Sequence, residues 1–218
     1  MITPLRITSK LVLVCGTFSL PIAVLLYLMI NGINDDIQFA RMEVYGIRYQ
    51  QTLEKLLQNL SEHKHAKYIL SSGQPGAQSR VASVAQQLDV DFEALQQVDQ
   101  ELGGPLQTTA AGLAQRQRQH LRPETLRQEW AQLKVAALGV AERDKAHDHL
   151  IADVRDLIAH IGVTSKLVLD PDLDSYYLMD ISLLVLPQMQ DRMQKVRSYG
   201  QHILAQKNIR SEDRKSVV

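Results

Sequence analysis

The chain has 218 residues, with 24 basic and 24 acidic side chains and a formal net charge of zero. This balance argues against a nucleic-acid partner, and the single cysteine excludes a disulfide framework. Good helix formers dominate the composition, and aromatic residues make up only 5% of it. We therefore expect an all-α fold, in which an N-terminal transmembrane helix is followed by an antiparallel up-and-down helical bundle.

The first predicted element is a transmembrane helix over residues 11–32. Residues 11–30 carry no charge, and twenty helical residues measure about 30 Å, the thickness of the hydrocarbon core of a bilayer. Pro21 lies in this run, where a membrane helix tolerates it with a kink. A cleaved signal peptide is the alternative, but its apolar core would be shorter and would end at a small-x-small motif, which is missing here.

The charges that flank this helix predict its orientation. Arg6 and Lys10 precede the apolar run, and Asp35 and Asp36 follow it. By the positive-inside rule, residues 1–10 stay in the cytoplasm and the rest of the chain is exported. We therefore expect an integral membrane protein in which residues 33–206 form a domain outside the cytoplasm.

The exported chain reads as a series of amphipathic helices that are separated by Gly- and Pro-rich turns. The first continues from the membrane helix to about residue 70, and its apolar residues form one stripe at helical spacing. The stripe comprises Ile37, Val44, Ile47, Leu53, Leu56, Leu57, Leu60 and Ile69. The further helices are predicted at about 77–102, 109–120, 123–138, 140–169 with a break near Gly162, and from Asp170 onward.

The histidines do not form a recognisable metal motif. His63 and His65 are two residues apart, as are His147 and His149, so the members of each pair face different sides of a helix. Asp144 and His147 share a face, but one Asp-x-x-His is not a di-iron pattern. We expect no metal site and no cofactor. Because no phosphate loop or catalytic triad is recognisable, we also expect that the segment is not an enzyme.

The last residues do not continue the helical pattern. Residues 213–218 are polar, and one reading frame of a common sequencing adapter encodes the same six residues. We therefore expect a truncated end over residues 207–218, with a non-native tail at 213–218. A genuine basic tail is the alternative.

Two blocks of the sequence carry a family resemblance. Residues 165–180 with Leu186 and Pro187, and residues 43–63, resemble the periplasmic sensor regions of bacterial methyl-accepting chemotaxis proteins. Some sensor histidine kinases and diguanylate cyclases have similar regions. The resemblance implies a homodimeric sensor of the bacterial inner membrane, with residues 33–206 in the periplasm. It also implies a second membrane span, a HAMP relay and a signalling module; no relay or methylation region is recognisable in this sequence.

The same two blocks supply the candidate ligand-binding residues. Arg48 and Tyr49 lie in the first block, and an arginine can bind a carboxylate or small anion with two hydrogen bonds. The second block contributes Asp174, Tyr176, Tyr177 and Asp180, which present polar faces on one helical turn. Structural hydrogen bonding within a bundle is the alternative for these side chains, and close helix packing is the alternative reason for Gly46.

Pro187 is the candidate transmission residue, because a proline inside the last helix should kink it. Three functions stay open at this point. The first is the sensory ectodomain of a transmembrane chemoreceptor, with a small molecule or a periplasmic binding protein as its partner. The second is the input region of a histidine kinase or diguanylate cyclase, and the third is a single-span tethering protein.

Overall fold

The structure, a computed structural model, describes residues 7–71, 73, 76–167 and nine scattered residues between 181 and 200. Its regular elements over residues 7–167 are α1 (Ile7–Ser71), α2 (Ala77–Leu102), α3 (Ala110–Gln115), a 3-10 helix (Gln119–Leu121), α4 (Pro123–Val135) and α5 (Val140–Thr164). The described residues contain no strand, so the all-α prediction is confirmed.

The chain divides into two compact units, residues 1–41 and 42–218, and α1 contributes residues to both. In the first unit, the apolar side chains of α1 are exposed; Phe18 is 69% exposed and Leu25 is 65% exposed. Among the described helices, α1 alone is long and apolar enough to cross a membrane. Pro21 lies inside α1 without ending it, as expected.

The second unit contains an antiparallel four-helix arrangement of α1, α2, α4 and α5. Hydrogen bonds and ion pairs join neighbouring helices, and those between α1 and α2 reveal that the two helices run in opposite directions. Along α1, Tyr49 contacts Asp99 of α2, whereas the later residue Glu62 contacts the earlier Arg80. The α1–α5, α2–α4 and α4–α5 pairs also contact each other, through His63 and His147, Trp130 and Asp89, and Glu129 and His149, respectively.

Each helix of this unit buries one face in a common core. The spacing of the buried residues follows the helical period, so the core side chains of the four helices meet in the middle of the bundle. Burying one Leu or Phe side chain stabilises the fold by about 1.5–3 kcal/mol. The largest fully buried side chains include Trp130, Tyr49, Phe92, Leu53, Leu56, Leu60, Leu88, Leu95 and Leu126.

Local sequence signals set most of the helix ends. The turn after α1 contains Gly73 and Gly76 at φ 74° and 82°, in the left-handed region that glycine adopts without strain. Thr109 caps α3 by accepting a hydrogen bond from the Gly112 amide. Pro123 occupies the first turn of α4, as predicted. The predicted bounds of the second helix, 77–102, are those of α2.

Three local predictions differ from the structure. The predicted helix at 109–120 is two short helices, because Gln117 has a φ of 56° between them. The predicted helix at 123–138 ends earlier, at Val135. The predicted helix at 140–169 also ends earlier, at Thr164, two residues after the predicted break near Gly162, and Lys166 beyond it has a φ of 64°. Gly162 itself is buried within α5. A helical glycine costs only about 1 kcal/mol relative to alanine, which tertiary packing readily offsets. The helix predicted from Asp170 lies outside the described residues.

The apolar stripe of α1 is the fourth difference. Leu53, Leu56 and Leu60 are fully buried, as their spacing predicts, but Val44 and Ile47 are 62% and 48% exposed. The predicted single stripe is therefore two surfaces, one in the core and one on the exterior of the unit.

Candidate functional site

Arg48 and Tyr49, the predicted ligand-binding residues of α1, have different surroundings. The Arg48 guanidinium is exposed and forms an ion pair with Glu101 of α2, with Nη2 and Oε2 2.7 Å apart. The Tyr49 side chain is fully buried. Arg48 is therefore accessible to a dissolved ligand, whereas Tyr49 is part of the interior.

Tyr49 belongs to a buried hydrogen-bond network with Asp99 and Thr108. The Tyr49 hydroxyl donates to Oδ1 of Asp99 over 2.8 Å, and the Thr108 hydroxyl donates to the same oxygen. Burial, together with the Asp99 charge, raises the pKa of Tyr49 well above its usual value. Burial also raises the pKa of Asp99, although its two hydrogen-bond donors oppose this effect. The network joins α1, α2 and the loop that follows α2.

Gly46 lies where α1 meets the end of α5. A Cβ at this position would overlap the Ser165 side chain and would lie 2.8 Å from Cδ1 of Leu167. Only a residue without a side chain allows this approach, so the structure contains the close helix packing that the sequence analysis gave as the alternative for Gly46.

The remaining predicted site residues belong to the second block, near the end of the chain. Asp174, Tyr176, Tyr177 and Asp180 lie outside the described residues, as does the candidate transmission residue Pro187. Their roles stay predictions, and so does the pairing of Arg48 with a tyrosine of that block. Among the described residues, the carboxylate that Arg48 contacts is that of Glu101.

The structure reveals a second polar cluster, which we call the histidine layer: His63, His147, Trp130 and Asp89. Nδ1 of His63 lies 2.9 Å from Nε2 of His147, and both histidines are 1% exposed. The Trp130 ring meets the His63 ring edge-on, with centroids 4.8 Å apart. The Trp130 indole N–H donates to Asp89 over 2.9 Å. This layer therefore contains one residue from each of the four bundle helices.

The hydrogen bonds of the layer define the histidine tautomers. Nδ1 of His147 lies 2.8 Å from the carbonyl oxygen of Arg143, which can only accept a hydrogen bond. His147 must therefore carry its proton on Nδ1 and accept at Nε2, so Nδ1 of His63 is the donor between the two rings. The layer is satisfied when both histidines are neutral.

The surroundings of the layer favour the neutral histidines. Burial lowers the pKa of His63 to about 3, and the facing groups His147, Lys67 and Arg143 act in the same direction. Burial likewise lowers the pKa of His147 to about 4, although its bond to the Arg143 carbonyl opposes the effect. Both histidines of the layer therefore stay unprotonated at neutral pH. Protonation at acid pH would place a charge in the core and destabilise the folded state.

A third cluster brings together groups that could hold a metal ion. Nδ1 of His149 lies 3.2 Å from Oδ2 of Asp153 and 3.6 Å from Oε2 of Glu129. His149 and Asp153 are neighbours on α5, and Glu129 reaches them from α4. One ligand atom from each of the three residues lies within 4.8 Å of the others.

The sequence analysis missed the partners that define these clusters. His63 follows Leu60 by three residues, so this spacing predicts that His63 lies on the buried face of α1. His149 and Asp153 are four residues apart and share a face. Glu129 lies on another helix, and only the register between α4 and α5 brings it to the pair.

Comparisons with known protein families, with curated proteins and with solved structures found no match to this chain. The resemblance to chemotaxis receptors therefore stays a prediction.

Proposed function

We propose that this chain is the input region of a transmembrane chemoreceptor, which detects a stimulus outside the cytoplasm and transmits it to a cytoplasmic signalling module. The observation that carries the proposal is the composition of α1. This helix contains the uncharged residues 11–30 and also the fully buried core residues Leu53, Leu56 and Leu60. A single element thus contributes both to the candidate membrane anchor and to the bundle core.

Membrane insertion of residues 11–30 is supported by their exposure. Nearly all of their large apolar side chains are more than half exposed, from Leu11 at 66% to Ile30 at 54%. Exposing apolar surface to water costs about 25 cal/mol per Å², so a lipid environment stabilises this surface strongly. Lys10 at one end and Asp35 at the other support an N-terminus in the cytoplasm and a bundle outside it.

Signal transmission requires a ligand that binds two states of the bundle with different affinity. Arg48 is the described residue that best fits a ligand contact, because its guanidinium is exposed and already pairs with a carboxylate. A small organic acid or inorganic anion would compete with Glu101 for this group. Such competition would change an ion pair that joins α1 to α2. The region would act as an input and not as a catalyst, and Asp174, Tyr176, Tyr177 and Asp180 complete the proposed binding residues.

The topology can be tested by labelling single cysteines with a membrane-impermeant maleimide, after Cys15→Ser has removed the native thiol. Gln97→Cys is exposed on α2 and should react in intact cells, whereas Thr3→Cys should react only after lysis. The reverse pattern would invert the orientation. If the mass of the purified chain shows that its first 30 residues have been removed, the anchor is a signal peptide and the proposal fails.

Direct sensing can be tested by calorimetric titration of the full chain in lipid nanodiscs with small organic acids, amino acids and inorganic anions. We expect one class of anionic ligand to bind, and Arg48→Ala to weaken that binding at least tenfold. Arg80→Ala is the matched control, because Arg80 also forms an α1–α2 ion pair, with Glu62. If no compound binds, or if both variants bind equally well, direct sensing through Arg48 is wrong.

A further inference from the structure

The cluster of Glu129, His149 and Asp153 contains a buried carboxylate that its neighbours leave unsatisfied. Asp153 is 6% exposed, and its Oδ2 is fully buried without a hydrogen bond from any described residue. Nδ1 of His149 lies 3.2 Å from this oxygen, but the contact does not have the geometry of a hydrogen bond. An unsatisfied buried carboxylate is costly, so this position favours a cation.

The oxygen that lacks a partner points into the cluster. Oδ2 of Asp153 lies 3.2 Å from Nδ1 of His149, and Oε2 of Glu129 approaches the same nitrogen from α4 at 3.6 Å. Three lone-pair donors from two helices therefore converge on one small region. Burial raises the pKa of Asp153 and of Glu129, as expected for carboxylates that lack a nearby counter-ion strong enough to offset desolvation.

The two nitrogen–oxygen spacings of the cluster are close to those of a coordination sphere, and a carboxylate oxygen of Glu129 lies within 4.8 Å of one of Asp153. Two ligands of a tetrahedral Zn²⁺, each about 2.0–2.1 Å from the ion, lie about 3.3 Å apart. The two nitrogen–oxygen distances in the cluster, 3.2 and 3.6 Å, are close to this value. One imidazole nitrogen with two carboxylate oxygens suits Zn²⁺ and similar transition metals, whereas Ca²⁺ and Mg²⁺ prefer oxygen ligands alone.

We propose that Glu129, His149 and Asp153 form a binding site for a divalent transition-metal ion, with Zn²⁺ as the best match, which clamps α4 to α5. The His149 side chain is 65% exposed, so solvent reaches the cluster and water can complete the coordination. The site is independent of the proposed sensor function, since none of its residues contacts Arg48 or the Tyr49 network. It also departs from the expectation that the chain has no metal site.

The test uses the full chain with Cys15→Ser, in detergent and in a buffer that does not chelate metals. We expect Zn²⁺ to bind at one ion per chain and to raise the midpoint of thermal unfolding. Co²⁺ should give the intense visible absorption bands of a tetrahedral or five-coordinate site. If Zn²⁺ does not saturate, or if bound Co²⁺ shows only the weak bands of the hydrated ion, the proposal is overturned.

Variants locate the ion. Loss of a second-shell partner alone lowers metal affinity about 10–100-fold, so His149→Ala and Asp153→Asn should each weaken Zn²⁺ binding at least tenfold. Glu142→Gln is the control, because it removes a carboxylate from the exposed first turn of α5, seven residues before His149, and should bind normally. If Asp153→Asn does not fold, Glu129→Gln on α4 tests the same site. Unchanged binding in the variants would place the ion elsewhere and refute the proposal.

Discussion

At the residue scale, Gly46 is the position where one added methyl group should matter most. A Cβ there would overlap the fully buried Ser165 side chain, which belongs to the end of α5 and cannot simply rotate away. Overpacking of this kind costs about 1–3 kcal/mol. We expect Gly46→Ala to lower the free energy of unfolding by about that amount, measured by chemical denaturation in detergent.

Gly32 provides the control for this substitution. It lies in the same helix, and a Cβ built on it meets nothing within 4 Å. Gly32→Ala should therefore leave stability unchanged or raise it slightly, since alanine is the better helix former. Equal effects of the two substitutions would contradict the close packing of α1 against α5.

His63 predicts how the stability of the bundle depends on pH. Its pKa is lowered to about 3 in the folded chain, from 6.5 in the unfolded chain, so the unfolded state binds more protons between these values. The contribution of His63 to the free energy of unfolding is fully present above about pH 6.5. It is lost progressively as the pH falls from there towards 3. The loss for this group approaches about 1.4 kcal/mol per pH unit within that window.

The measurement is a series of unfolding midpoints between pH 7 and pH 4. We expect His63→Gln to flatten the decline, although the variant is less stable at pH 7 because it disturbs the buried pair with His147. His147, whose pKa is also lowered, should account for part of the decline that remains. An unchanged slope in His63→Gln would assign the acid sensitivity to other groups.

At the scale of the element, the residues of α2 that contribute most to the stability of the bundle are those on its buried face. Leu88 is fully buried in the core, whereas Val90, two residues later, is 55% exposed. Leu88→Ala should cost about 2–5 kcal/mol, because it leaves a cavity between the helices. Val90→Ala should change stability by less than about 0.5 kcal/mol.

Circular dichroism during urea unfolding distinguishes the two variants of α2. Both substitutions introduce alanine into the same helix, so differences in helix propensity contribute little to the comparison. If Val90→Ala proves as costly as Leu88→Ala, a surface that the described residues leave open must be covered in the assembled protein.

At the scale of the whole molecule, homodimerisation through α1 is the main proposal that remains to be tested. Ile37, Val44 and Gln51 recur every seven residues in the sequence, and all three are exposed. Such spacing is typical of helices that pair along their length. We expect single cysteines at these three positions, in a Cys15→Ser background, to form disulfide-linked dimers under mild oxidation in membranes.

Gln38 is the control position for cross-linking. It is as exposed as its neighbour Ile37 but faces another side of the helix, since successive residues are turned by about 100°. Gln38→Cys should therefore form dimers much less efficiently. Uniform cross-linking at all four positions would indicate random collisions and would argue against a specific α1 interface.

Local patterns in the sequence predicted the all-α fold class and the approximate positions of most helices. Twenty uncharged residues can only be helical in lipid, and the 3.6-residue spacing of Leu and Val, together with the Gly and Pro punctuation, located α2 to its end residues. These signals are local, because propensity, capping and turn geometry act within a few residues of the chain.

Only the tertiary structure decided which side chains meet across the bundle. The register of α1 against α5 pairs His63 with His147, and that of α4 against α5 brings Glu129 to His149 and Asp153. The same register turns Tyr49 inward and leaves Arg48 exposed. Such contacts join residues far apart in the chain, and they depend on how the helices rotate and slide when their apolar faces pack, which no local pattern encodes.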